Sequence, residues 1–327
     1  MPPDPIVPPP ARSIVFHSGT LGDLVLSFWV LRSLAARGEV WIVAPWRAAQ
    51  LAARCVEGVV PVDGDQPRFA RLHAPAAVAI DMLAHDPDLA DALRSATSIV
   101  SFVARRDDPW AATVRALAPH AAIAFISPRP PDDGATHITA WCAAQLGPTL
   151  PGLGTAADWP APASSVRGSP DNRPVLIHPG SGAAVKCWSA DRFADLARIL
   201  AERGHAVRIV LGEAEYERWT EVALRSWRAE FDVRVSPTLP DLEALLRGAA
   251  AFIGNDSGPT HLAAALGVPT IALFGPTSPA VWRPVGADVT VLAPVAPSPM
   301  EWLSVETAAA AITARLGAPD SLGGAPA

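Results

Sequence analysis

Ala250-Ala251-Phe252-Ile253-Gly254-Asn255-Asp256-Ser257-Gly258-Pro259-Thr260-His261 is the run on which the fold turns. A short apolar segment closed by glycine predicts a buried strand. Pro259, suited to a first helical position, and Gly267, suited to a stop, predict a helix directly after it. A strand-to-helix turn of this kind leaves backbone N–H groups unpaired, and the helix dipole adds partial positive charge at the same end. Gly258 lets another chain or a ligand come close to the backbone. The expected occupant is a phosphorylated ligand.

Outward from this run the same plan appears twice. Near the start, Ile14-Val15-Phe16-His17 reads as a strand that passes through Ser18-Gly19-Thr20-Leu21-Gly22 into a helix from about Asp23 to Arg37, with Val40-Trp41-Ile42-Val43 as the next strand. In the second half Val175-Leu176-Ile177-His178 is a strand, Ser189 to Arg203 a helix stopped by Gly204, and Val207 to Leu211 a strand again. Between about Gly147 and Pro174 the chain is crowded with Pro, Gly, Ala and Ser and reads as a linker. The expected division is a disordered lead-in 1–11, an N-terminal domain 12–150, a linker 151–173, a C-terminal domain 174–299, a last helix 300–316 and a flexible tail 317–327. Alternating strands and helices make both domains α/β, two Rossmann-like, doubly wound parallel sheets facing an interdomain cleft. Ligands of such sheets bind beyond the carboxyl ends of the strands, where the glycine turns at Gly19, Gly180 and Gly254 lie.

Composition narrows the function classes. The 327 residues carry a formal net charge of -6 and no dense Lys/Arg block, which argues against nucleic acid as a partner. The residues Met1 to Pro10 have neither a basic start nor an apolar core, so no signal peptide is expected, and a cytoplasmic setting follows. Three scattered cysteines, Cys55, Cys142 and Cys187, suit neither a disulfide framework nor a zinc knuckle, and no cluster has metal-ligand spacing. No metal and no cofactor are expected. The longest apolar run, Leu24 to Ala36, is cut by Arg32 and falls short of the ~20 residues that span a bilayer, so any membrane contact is expected to be peripheral.

Individual residues carry competing readings. Asp23, flanked by glycines at a sheet's carboxyl edge, is either an N-cap or a general base, and the helix dipole that would favour its charge would also weaken it as a base. The turn His178-Pro179-Gly180-Ser181-Gly182-Ala183-Ala184-Val185-Lys186-Cys187-Trp188 fails both the dinucleotide and the Walker patterns, because Val185 fills the third small position and Lys186 is followed by Cys. Lys186 is a solvated surface lysine or a point charge on a phosphate; its place inside a glycine turn favours the second. Glu215 is a ribose-binding acid or a solvated helix start. Trp188 and Trp282 are expected as cleft walls.

The turn Gly19 to Asp23, the His178-Pro179-Gly180-Ser181-Gly182…Lys186-Cys187-Trp188 run, and Gly254 to Pro269 continuing to Leu273-Phe274-Gly275-Pro276-Thr277 together resemble glycosyltransferase family 9, the lipopolysaccharide heptosyltransferase family. The resemblance implies a GT-B fold and metal-free inversion at the anomeric carbon. It implies a nucleotide-sugar donor such as ADP-heptose on the C-terminal domain and a glycan or lipid-linked glycan acceptor on the N-terminal one. It assigns Asp23 as the base and Lys186 to the leaving diphosphate, with Gly180, Ser181 and Gly182 beside it. Ser257, Gly258 and His261 join the diphosphate side, Glu215 takes the ribose, and Asp256 takes sugar hydroxyls or a neighbouring donor. Thr277 closes the same pocket, and Gly19, Thr20 and Gly22 form the acceptor-side turn. Trp29, Cys187 and Ser189 depart from the family pattern, which bears on subfamily and acceptor rather than fold. Arg105-Arg106 and Arg68 with Arg71 are candidates to meet an acidic acceptor, or are simply solvated. Two other functions fit the same features: a non-catalytic nucleotide or glycan scaffold, and a nucleotide-sugar epimerase.

Overall fold

The computed structural model describes residues 11–131, 134–158 and 173–316. The chain gathers into two compact units. The first comprises the described parts of Met1–Thr20, Ser27–Pro130 and Thr139–Trp159; the second comprises Leu21–Leu26 and the described parts of Pro131–Ile138 and Pro160–Ala327. The expected lead-in up to residue 10, most of the linker and the tail lie outside the described residues.

In the first unit β1 (Arg12–Phe16), β2 (Glu39–Ala44), β3 (Val59–Asp63), β4 (Ala96–Ser101) and β5 (Ala122–Phe125) form one sheet in the order β3-β2-β1-β4-β5. In the second, β6 (Val175–His178), β7 (Val207–Leu211), β8 (Asp232–Val235), β9 (Ala251–Asn255), β10 (Thr270–Leu273) and β11 (Val289–Leu292) are ordered β11-β10-β9-β6-β7-β8. All pairings are parallel. Strands β6, β9 and β10 are buried along their whole length, as their near-continuous apolar sequences require of a sheet covered on both faces. Chain order reverses between β1 and β4 and again between β6 and β9, which are the positions where doubly wound sheets take ligands.

Each unit has its own core. The first is centred on Ile14, Phe16, Leu93, Ile99 and Trp110, with the Phe16 and Trp110 rings meeting edge to face at 5.0 Å. The second packs Phe193, Leu196 and Leu200 of the Ala190–Glu202 helix against β6, β7 and Ile312 of the Val305–Leu316 helix. Each such fully buried side chain contributes about 1.5–3 kcal/mol.

Several expected elements are corrected. The helix expected from Asp23 to Arg37 is two, Leu21–Leu26 and Phe28–Ala35, because the Ser27 carbonyl accepts from Val30 N at 2.9 Å and tightens the ladder there. Asp23 is therefore not a cap; the helix starts two residues earlier and holds Asp23 inside its first turn. The last helix begins at Val305, not Met300: Met300–Trp302 is a separate 3-10 turn, and Ser304 Oγ accepts from Thr307 N at 3.2 Å to start the helix. Residues beyond Gly147 are not all linker, since Leu150, Leu153 and Ala156 are buried and Arg37 donates to the Pro151 carbonyl at 3.1 Å.

Candidate active site

Strands β6 and β9 are neighbours, with His178 opposite Gly254, so the two glycine turns that follow them leave the sheet side by side at its switch point. Asn255, wholly buried, joins them. Its Oδ1 accepts from Trp188 N at 3.0 Å, and its Nδ2 donates to the Pro179 and Gly180 carbonyls at 2.9 and 3.3 Å. Ser181 Oγ adds a bond to the Asp256 carbonyl at 2.8 Å. A buried amide that meets its partners on both turns fixes their separation, because leaving any of these groups unpaired costs about 1–3 kcal/mol.

Asp256 is the centre of the polar cluster, its side chain only 6% exposed. One carboxylate oxygen accepts from Lys186 Nζ at 2.8 Å and from Thr277 Oγ1 at 2.8 Å; the other lies 3.6 Å from His261 Nε2. Burial on its own pushes the Asp256 carboxyl up, but the His261 ring and the Lys186 ammonium outweigh it and hold the acid below its ordinary range. Lys186 is 31% exposed and so has one face on the acid and one toward solvent. His261 is buried, and its Nδ1 finds no hydrogen-bond partner among the described residues. Ser257, at the start of the Gly258–Ala265 helix, shares a hydrogen bond with Thr260 at 2.9 Å rather than capping.

Glu215 is buried, which overturns its reading as a solvated helix start. Its Oε2 accepts from Gly212 N at 2.9 Å, and its carboxyl fills the space where a Cβ on Gly180 would stand. Gly180 is thus a glycine for want of room. Gly182 has open space on the corresponding side. His178 donates from Nδ1 to the Val210 carbonyl at 2.9 Å; burial lowers its pKa against the pull of Glu215, so the ring is neutral. Trp188 is no cleft wall: it is 1% exposed, packs edge to face on Phe193 and donates from Nε1 to the Leu303 carbonyl at 2.9 Å. Trp282 is half-buried.

The close approach that Gly258 allows is made by the helix Leu21–Leu26. A Cβ on Gly258 would lie 2.9 Å from Leu21 Cβ, and one on Gly22 would lie 3.4 Å from His261 Cδ2. Asp23, half-buried, follows directly on the residue that faces His261. Gly19 and Thr20 are exposed at the end of β1, where Gly19 N donates to His17 Nδ1 at 3.2 Å. Elsewhere in the first unit, a cavity of about 520 Å³ at the carboxyl ends of β4 and β5 is lined by Arg105, Arg106 and Arg129. Arg68 lies 3.6 Å from Asp86 and over the Phe69 ring. Among the described residues no helix is long and apolar enough to cross a membrane.

Asn255 and Arg218 are functional candidates that sequence reasoning passed over. Arg218 donates to the Ser181 and Gly182 carbonyls at 3.2 and 3.3 Å. No local pattern points to either residue, since both act on a turn some 35 to 75 positions away.

A family model described as glycosyltransferase family 9 (heptosyltransferase) matches residues 151–302. Over 113 residues the chain is 35% identical to lipopolysaccharide heptosyltransferase 3 of Escherichia coli K12, covering 34% of this chain and 33% of that protein. Over 106 residues it is 41% identical to lipopolysaccharide heptosyltransferase 1 of Pseudomonas aeruginosa, covering 32% and 29%. These matches span about a third of each curated relative. The solved E. coli ADP-heptose lipopolysaccharide heptosyltransferase II aligns with a TM-score of 0.67 at 19% identity, over 93% of this chain and 98% of that one. An E. coli heptosyltransferase solved with ADP aligns with 0.64 at 19%, over 94% and 100%. Those likenesses establish the fold, an α/β GT-B fold of two doubly wound parallel sheets. The family model and the curated relatives bear on the second half of the chain: over residues 151–302 it is similar to glycosyltransferase family 9.

Proposed function

We propose that the chain is an inverting, metal-independent glycosyltransferase that moves a sugar, a heptose carried on ADP, to a lipopolysaccharide-core or other glycan acceptor. The observation that carries this is the pair of glycine turns at the β6/β9 switch point, joined by Asn255 and holding Lys186 on Asp256. A departing nucleoside diphosphate develops negative charge, and a preorganised ammonium beside backbone N–H groups stabilises it where a metal would otherwise serve. Lys186 and the turn Ser257 to His261 take the diphosphate, Gly180 to Gly182 lie along it, and Glu215 takes the ribose. Asp256 holds Lys186 in place. Asp23 takes the proton from the acceptor hydroxyl. The turn Gly19 to Gly22 and the arginine-lined cavity of the first unit belong to the acceptor side. Membrane contact in this scheme is peripheral, at the inner face of the cytoplasmic membrane.

The test is release of nucleoside diphosphate from ADP-, UDP- and GDP-sugars, with and without a lipopolysaccharide-core oligosaccharide, in EDTA. The expected result is acceptor-dependent ADP release that EDTA leaves intact and that Asp23→Asn slows by ~10²–10⁴-fold with ADP affinity unchanged. An Asp23→Asn enzyme at full rate would overturn the base assignment. Binding without turnover would leave a scaffold, and turnover restored only by Mg²⁺ or Mn²⁺ would overturn metal independence.

A further inference from the structure

Five consecutive carbonyls of the turn after β6 are taken by the protein itself. Those of Pro179 and Gly180 accept from Asn255 Nδ2, those of Ser181 and Gly182 from Arg218 Nη1 and Nη2, and that of Ala183 from Lys186 N at 3.0 Å. The N–H groups of Gly182, Ala183 and Ala184 find no acceptor among the described residues. A loop whose acceptors are all satisfied and whose donors are left over is chemically an anion seat. Arg218 and Glu215 stand three apart on the helix Glu213–Arg218, and both bear on this turn, Glu215 filling the space beside Gly180 and Arg218 bridging the next two carbonyls. A guanidinium is suited to this because its planar fork meets two acceptors at once, which an ammonium of the same charge does not.

We propose that Arg218 is a positioning residue of the donor site: it holds the Ser181 and Gly182 carbonyls so that the turn keeps its N–H groups available to the diphosphate of a nucleotide sugar. The identity of that ligand rests on the glycosyltransferase reading; the seat itself is an anion site whatever the sugar.

The test compares wild type, Arg218→Met and Arg218→Lys in the full chain by calorimetry with ADP, inorganic pyrophosphate and adenosine, and by donor KM and kcat. Loss of two hydrogen bonds predicts a roughly 10-fold weaker affinity for ADP and pyrophosphate in Arg218→Met, with a matching rise in donor KM and kcat within about twofold. Adenosine affinity should not move, which separates the effect from a general loss of fold. Arg218→Lys should stay within about threefold of Arg218→Met, because the charge is kept and the fork is lost. Full recovery by lysine would show that charge alone acts and would overturn the proposal, as would wild-type affinity in Arg218→Met or equal losses for adenosine and pyrophosphate. If wild type binds pyrophosphate and releases no nucleoside diphosphate from any sugar donor, the glycosyltransferase reading fails and the seat stands. If wild type binds neither ADP nor pyrophosphate, both fail.

Discussion

Asp256 shows how a single residue type acquires its role from its partners. A carboxylate facing a diphosphate would be repelled, yet here it faces Lys186, Thr277 and His261 and turns their donors into a fixed group. Its carboxyl is held below the ordinary value of about 3.9, so the stabilisation is present above that value and is lost as pH falls through the lower folded one. Asp256→Asn should cost roughly 1–3 kcal/mol at pH 7, because Lys186 and Thr277 lose a charged acceptor. It should also flatten the acid limb: between pH 5 and about pH 2 the melting temperature of wild type should fall more steeply than that of the variant. Parallel curves over that range would show that the acid contributes nothing through its charge.

At the scale of elements, the short helix Glu213–Arg218 and the turn after β6 act as one piece. Gly180→Ala would drive a methyl into the Glu215 carboxyl and break its bond to Gly212 N, and overpacking of this kind costs about 1–3 kcal/mol. In a Glu215→Ala background the same substitution should cost far less, giving a coupling of roughly 0.5–3 kcal/mol in a double-mutant cycle read by urea unfolding. Additive costs would mean that the two positions do not share this space. The regular elements around the turn were legible in advance: β6 and β7 fall where short apolar runs bounded by loops put them, and Ser189 does cap the helix that follows. The start of the first helix at Leu21 and the break at Ser27 were not. Gly22 is poor evidence for a helix by propensity, but the packing of Leu21 over Gly258 offsets the ~1 kcal/mol penalty of the glycine. Trp188 misled for a similar reason, since its partner, the Leu303 carbonyl, lies 115 positions away. Lys186 and Asp256 could be marked singly from their turns. That they pair, and that Asn255 and Arg218 hold the turns in place, depends on β6 and β9 being neighbours, which no local pattern contains.

For the whole molecule, the separation into two units with separate cores sets where a nucleotide should be felt. Lys186, Ser181, Glu215, Arg218, Asp256 and His261 all belong to the second unit, and so does the helix that carries Asp23. A ligand that binds only the folded form of that unit stabilises it by mass action, by about 2.7 kcal/mol at a hundred times its Kd. Amides of β6 and β9 whose exchange requires that unit to unfold should therefore slow by about 100-fold in hydrogen exchange with ADP at that concentration. Amides of β1 and β4, held by a different core, should exchange at the rate of the free protein. Equal protection in both sheets would show that the two cores unfold as one, and protection confined to β1 and β4 would place the nucleotide in the first unit and overturn the donor assignment altogether.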